Sequence, residues 1–136
     1  MEGTSKHDFS LPEEDEILLK NSFSSWETVK DNNVNWVIIH DFDLIPKEYG
    51  CNNITVAFEI PVNYPIAQID MFYVYPPLSL PNKQIPRTEG SRNICAKTFQ
   101  RWSRHRTSKN PWQPGLDNVY SQVMLTEEML EREVNR

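Results

Sequence analysis

Apolar and polar positions alternate most regularly over residues 54–60, where Ile54, Val56, Phe58 and Ile60 are separated by Thr55, Ala57 and Glu59. Successive side chains of a strand point to opposite faces, so this spacing predicts a half-buried β-strand. After a break at Pro61 and Pro65, residues 69–75 predict another strand, with Ile69, Met71, Tyr73 and Tyr75 on one face. Upstream, residues 25–30 and 35–42 read as two paired strands, the second carrying the apolar run Trp36-Val37-Ile38-Ile39. Asp31-Asn32-Asn33 between them tolerates the positive φ of a tight turn, which makes the pair a hairpin. Residues 43–50, with Pro46 and Gly50, form a polar connection.

Helical patterns flank these strands. Ser10-Leu11-Pro12-Glu13 reads as a helix start with Ser10 as cap, followed by a short helix over residues 11–21 whose acidic first turn suits the positive end of the helix dipole. At the other end, Leu116, Val119, Tyr120, Val123 and Leu130 recur at helical spacing after Asp117, which is positioned to cap them, with Glu127, Glu128, Glu131 and Arg132 towards water. Periodicity disappears over residues 76–114, and an irregular stretch of that length within one domain is usually functional or anchored by its own contacts. The expected architecture is α+β: an N-terminal helix, a four-stranded antiparallel meander, a long irregular crossover and a C-terminal helix.

Bulk properties narrow the setting. A chain of 136 residues closes one core, so residues 1–9, polar and aperiodic, are taken as a flexible tail and residues 10–136 as one domain. The formal charge of −5 gives no general attraction to nucleic acid or to an anionic membrane. No stretch is long and apolar enough to span a bilayer, and the N-terminus lacks a secretory apolar run, which points to the cytoplasm. The two cysteines, Cys51 and Cys95, do not form a CxxC pair, and no HExxH or glycine-rich phosphate loop is present. No metal and no cofactor are therefore expected.

Three strings bring a family into view. Ile60-Pro61-Val62-Asn63-Tyr64-Pro65 resembles the "F-P-x-x-Y-P" turn of the ubiquitin-conjugating (E2, or UBC) superfamily, Asn93-Ile94-Cys95 resembles the string bearing its thioester cysteine, and Trp112-Gln113-Pro114-Gly115-Leu116 resembles its "W-S-P-x-L" segment. They stand in the family's order. Asp70-Met71-Phe72-Tyr73-Val74-Tyr75-Pro76-Pro77 and Phe99-Gln100-Arg101-Trp102-Ser103-Arg104-His105-Arg106 resemble, more narrowly, a bacterial E2-like branch associated with multi-ubiquitin-like, E1-like and JAB-peptidase proteins. The resemblance implies a UBC-like fold over about residues 11–134. It also implies partners that include a ubiquitin-like protein, an E1-like activating enzyme and a JAB-type peptidase of the same pathway, in a setting such as antiphage defence. Two departures stand out. No His-Pro-Asn string precedes Cys95, the nearest counterpart being Leu80-Pro81-Asn82 well upstream, and the interval from Cys95 to Trp112 is longer than in the eukaryotic enzymes.

An E2-type transferase must carry a ubiquitin-like C-terminus as a thioester, and a thiolate both attacks and leaves readily. The resemblance makes Cys95 that nucleophile, with His105 as general base for the second transfer and Asn93 as an assisting polar group. Arg92 and Lys97 beside Cys95 would favour thiolate if their charges approach it; the alternative is a small buried cysteine without chemistry. For Cys51 and His40 structural roles are expected, while His7 lies in the tail. His105 is either a base or a residue that pins the loop. Arg101, Arg104, Arg106 and Lys109, with Trp102 among them, form the only basic cluster. In an acidic chain they suit a partner's acidic surface or C-terminal carboxylate better than nucleic acid, or else they hold the crossover against the domain. Trp112 and Pro114 read as a structural anchor. Two functions follow: an E2-like carrier using Cys95, or a catalytically inactive E2-like module that binds ubiquitin-like or E1-like partners.

Overall fold

The computed structural model describes residues 6–136. Helix α1 (Glu13–Ser22) is followed by strands β1 (Trp26–Asp31), β2 (Val34–Asp43) and β3 (Asn53–Ile60), with one 3-10 turn, Lys47–Tyr49, between the last two. Strand β4 (Phe72–Tyr75), a hairpin of β5 (Ser91–Ile94) and β6 (Lys97–Trp102), and helix α2 (Val119–Asn135) complete the chain. The expected α+β order of helix, antiparallel strands and helix is present, but the sheet has six strands in the order β1-β2-β3-β4-β6-β5. Residues 76–114 are therefore not wholly irregular. Their hairpin escapes sequence reading because its turn is Cys95-Ala96, whereas the residues that announce such turns are Asn and Gly.

The helix ends also differ in detail. Pro12 occupies the cap position of α1 in an extended conformation and supplies no side-chain bond, so the helix starts too late for Ser10 to cap it. The free amide of Leu11 is instead taken by Glu16 at 2.9 Å. At α2 the cap is Asn118, which accepts from the Ser121 amide while Ser121 Oγ accepts from the Asn118 amide, a reciprocal box. Asp117 is drawn away to the Gln113 amide and to Arg106.

Both helices cover one face of the sheet. Val37, Ile39, Val56, Phe58, Phe72, Val74 and Trp102 pack there with Leu19 of α1 and Val119, Val123 and Leu130 of α2. Trp102 is fully buried and stacks on Phe72 with ring centroids 5.3 Å apart. Its Nε1–H donates to Gln100, whose side chain also exchanges two hydrogen bonds with the backbone of Leu78 and so pins the start of the crossover to β6. Tyr64, in the turn after β3, donates its hydroxyl to Asp15 of α1 and accepts the Val119 amide of α2 at 2.9 Å, tying that turn to both helices.

The other face is closed by the sheet's own curl. Val29, Trp36, Ile38, Ala57, Tyr73, Ile94 and Phe99 form a second cluster there, roofed by Arg92 over Trp36 and Lys97 over Tyr75, each 5.1 Å from the ring centroid. The two charged groups themselves lie over the rings, held by attraction to the negative ring faces while they remain partly open to water. Residues 6–9 are not a free tail: the Asp8 amide donates to the Thr28 carbonyl at 2.8 Å, the Thr28 amide to the Lys6 carbonyl at 3.0 Å, and Thr28 Oγ1 to the Phe9 carbonyl at 2.7 Å, covering the exposed edge of β1. Residues 1–5 of the expected tail lie outside the described residues. Among the described residues no helix is long and apolar enough to cross a membrane.

Ile94 is fully buried at the point where the hairpin folds over the second cluster. Ile94→Ala should lower unfolding stability by about 2–4 kcal/mol through lost burial and a residual cavity, read as a lower denaturant midpoint at unchanged slope.

Candidate functional site

Cys95 stands at the tip of the β5–β6 hairpin and is exposed. The turn is two residues long, and both Cys95 (φ 51) and Ala96 (φ 66) adopt the left-handed conformation. The matching β1–β2 turn uses Asn32 and Asn33 at φ 50 and 66, residues that tolerate it. Cysteine and alanine do not, and each costs on the order of 1–2 kcal/mol there. The surrounding contacts hold the turn: the Cys95 amide donates to Asp31 Oδ2 at 3.1 Å. Asp31 ends β1 and Cys95 follows β5, the two edge strands of the sheet. The thiol thus sits where the curled sheet's opposite margins meet.

The charges around this sulfur are the reverse of those expected. Arg92 is engaged by Glu59 at 3.6 Å and by the Trp36 ring, and Lys97 lies over Tyr75. Partial burial pushes the Cys95 thiol up, and the carboxylates of Asp31, Glu27 and Asp8 push it further, against a smaller downward pull from Lys6. The sequence neighbours do not make this cysteine a thiolate, because in a strand hairpin neighbouring side chains are committed to the sheet faces.

His105 is not assembled with Cys95. Six-residue β6 separates them, and at roughly 3.3 Å per residue the strand alone is about 20 Å long. His105 lies beyond its far end, where Nδ1 meets Asp70 Oδ1 at 2.8 Å in an exposed pair. Asn93 is on β5 near the thiol, its Oδ1 accepting from Thr98 Oγ1 at 2.9 Å. Cys51 is half-buried against the main core, His7 sets its ring edge-on to Trp26, and His40 is bonded to Glu27 at 2.7 Å. Both Cys51 and His40 thus have structural surroundings. Among the described residues no group of His, Cys, Asp and Glu is arranged to hold a metal.

The basic cluster mostly clamps the crossover. Trp102 has no exposed surface with which to meet a partner. Arg106, with its side chain 6% exposed, pairs with Asp117 at 3.3 Å and lies over Trp112, 5.1 Å from the ring centroid. Arg104 pairs with buried Glu133 at 3.2 Å. Arg101 lies against Gly90, where any side chain would collide with its guanidinium. A guanidinium desolvated beside its carboxylate is no longer free for a ligand. Trp112 Nε1–H donates to the Pro65 carbonyl at 2.9 Å and its ring tilts against Tyr64. The anchoring role read for Trp112 therefore joins the two segments that carry the Tyr64-Pro65 and Trp112-Gln113-Pro114 strings. These adjoining segments leave Val62, Ile66 and Leu116 largely exposed, a surface that periodicity did not single out because it belongs to two distant loops.

Two measurements probe this turn. Ala96→Gly should raise unfolding stability by about 1 kcal/mol, since glycine relieves the left-handed strain at a small entropic cost. Asp31→Asn keeps an acceptor for the Cys95 amide and removes a negative charge from beside the thiol. Because that charge raises the pKa, the alkylation rate at Cys95 should climb at lower pH in the variant and be faster at pH 7.5, as measured by mass spectrometry with Cys51 as internal reference.

No curated protein and no solved structure matches the chain. The family model of prokaryotic E2 family E matches residues 11–133, from just before α1 to the last turn of α2, and includes both joined segments and the Cys95 turn; the chain belongs to that family.

Proposed function

We propose that this E2-family chain is a carrier of a ubiquitin-like protein, accepting its C-terminus on Cys95 from an E1-like enzyme and passing it to an acceptor. The observation that carries this reading is the thiol itself: exposed, on a strained turn, at the rim of the sheet. Strain held in place by surrounding contacts is a feature that functional positions share. In the first step the Cys95 thiolate attacks the carbonyl carbon of the activated C-terminus, the new C–S bond forms, and the E1-like enzyme's thiolate leaves. In the second an acceptor nucleophile attacks, the C–S bond breaks, and Cys95 is regenerated. Partial burial, and after it the carboxylates around Cys95, raise the thiol above its ordinary value, so the resting sulfur is protonated. A protonated thiol is spared from stray oxidation, and neutralisation of those carboxylates by a basic partner surface would activate it. Asn93 is the polar side chain on β5 available to orient the carbonyl; with His105 beyond the other end of β6, the acceptor's proton passes to solvent or to a group the acceptor brings.

A second reading, a non-catalytic module that docks ubiquitin-like or E1-like partners, is favoured by the raised thiol and by the exposed apolar side chains of Val62, Ile66 and Leu116. An exposed apolar patch is a usual mark of a protein contact.

Incubation with the E1-like enzyme, the ubiquitin-like protein and ATP should give an adduct on a non-reducing gel that thiols release. Cys95→Ala should abolish it and Cys51→Ala should leave it intact. An adduct that survives Cys95→Ala rejects Cys95 as carrier, and absence of adduct with undiminished partner binding selects the docking module.

A further inference from the structure

The far end of α2 carries a second polar site, remote from the Cys95 turn and independent of its chemistry. Arg87 on the crossover, Arg104 after β6, and Arg132, Glu133 and Arg136 on the last turns of α2 line an open cleft of about 320 Å³. Its floor is fixed. Glu133 is buried, and its Oε2 accepts from Arg104 at 3.2 Å and Arg136 at 3.3 Å, while the Arg104 guanidinium lies 4.9 Å from the Trp102 ring centroid.

Its rim is not neutralised. Arg87 forms no ion pair among the described residues, and its backbone carbonyl accepts the Ser103 amide at 3.0 Å, which holds it beside the cleft. Arg132 has only Glu128, at 3.1 Å in a pair more than half exposed on both sides, a contact that water and ions readily exchange. Counting Glu128, four guanidinium groups face two side-chain carboxylates, in a chain whose net formal charge is −5. The carbonyl end of a helix would oppose an anion, but Lys83 Nζ occupies it, 3.1 Å from the Glu133 carbonyl and 2.6 Å from that of Arg136. A concave site of one charge sign focuses its field inward, and the planar guanidinium fork matches a two-oxygen anion.

We infer that this cleft binds an oxyanion group, held by Arg87 and Arg132 at the rim over the floor in which Arg104 and Arg136 pair with Glu133. Phosphoryl groups and the terminal carboxylate of a peptide share this chemistry. The test titrates the full chain at constant ionic strength with pyrophosphate and, separately, with N-acetylglycine as a model of a peptide's end, following the arginine Nε–H signals by NMR. Saturable shifts at Arg87 and Arg132 are expected with at least one of the two, the stronger binder identifying the source. The double variant Arg87→Ala/Arg132→Ala removes two exposed side chains and leaves the buried pair intact, so it should fold normally and bind about tenfold more weakly or worse. Lys109→Ala, exposed elsewhere on the crossover, should bind unchanged. Shifts no larger than those from chloride, or a double variant that binds as the native chain does, would overturn the inference.

Discussion

The closing of the sheet upon itself is the constraint on which the remaining features depend. An antiparallel sheet can leave one face to water, but here the face away from the helices is apolar too, and the chain covers it by turning β5 and β6, with Ile94 and Phe99, towards Trp36 and Tyr73. Ile94 fills the contact from below, and Arg92 and Lys97 shield the rings from above. The hairpin is closed by a turn of two residues, and that turn is where Cys95 stands. Exposure of the thiol, its strained backbone and its acidic neighbours are thus consequences of how an apolar face is buried.

The same closure explains why the expected constellation divides. A general base for the second transfer must come within one hydrogen bond or one water of the proton on the acceptor that attacks the thioester carbon, whereas a strand carries residues a few positions apart in sequence steadily away from each other. His105 and Cys95 are near neighbours along the crossover as text and lie past opposite ends of β6 as structure. Arg104 and Arg106, read as surface cations, are mainly internal ties: one to Glu133 beneath α2, the other to Asp117 beside Trp112. A long connection without its own hydrophobic period has few apolar groups to anchor it, and charged pairs stacked on tryptophan supply the anchorage. At the mouth of the cleft near α2, the same arginine chemistry is left partly unpaired, which separates a tie from a candidate binding site.

Family membership and geometry bear on different parts of the problem. Membership in prokaryotic E2 family E covers residues 11–133 and gives the protein its general E2-like character. The geometry adds the joining of the Tyr64-Pro65 turn to the Trp112 segment, by the Trp112–Pro65 hydrogen bond and by Tyr64 contacting both helices. This fixes the relation between α1, the sheet and α2, and it sets the loop that carries exposed Val62 and Ile66 beside the segment that leads to exposed Leu116.

What the sequence determined by itself was everything carried by local period and local turn chemistry. Ile54 to Ile60 alternates because one face of β3 meets the helices, Asn32-Asn33 marks a tight turn because asparagine accepts positive φ, and the spacing of Val119, Val123 and Leu130 gives α2 its buried side. The motif strings likewise identified the family. Tertiary structure alone decided the β5–β6 hairpin, since Cys95-Ala96 carries no local signal for the turn it adopts, and its Ile94 and Phe99 are buried because they pack on a distant aromatic face. It also decided the capping, where the competing demand of Arg106 on Asp117 left Asn118 to close the helix. The electrostatics of Cys95 belong to the same class. Burial raises the thiol most, and because Coulomb interactions act through space, Asp31, Glu27 and Asp8, far off in sequence, add to it while Arg92 and Lys97 are drawn to Trp36 and Tyr75.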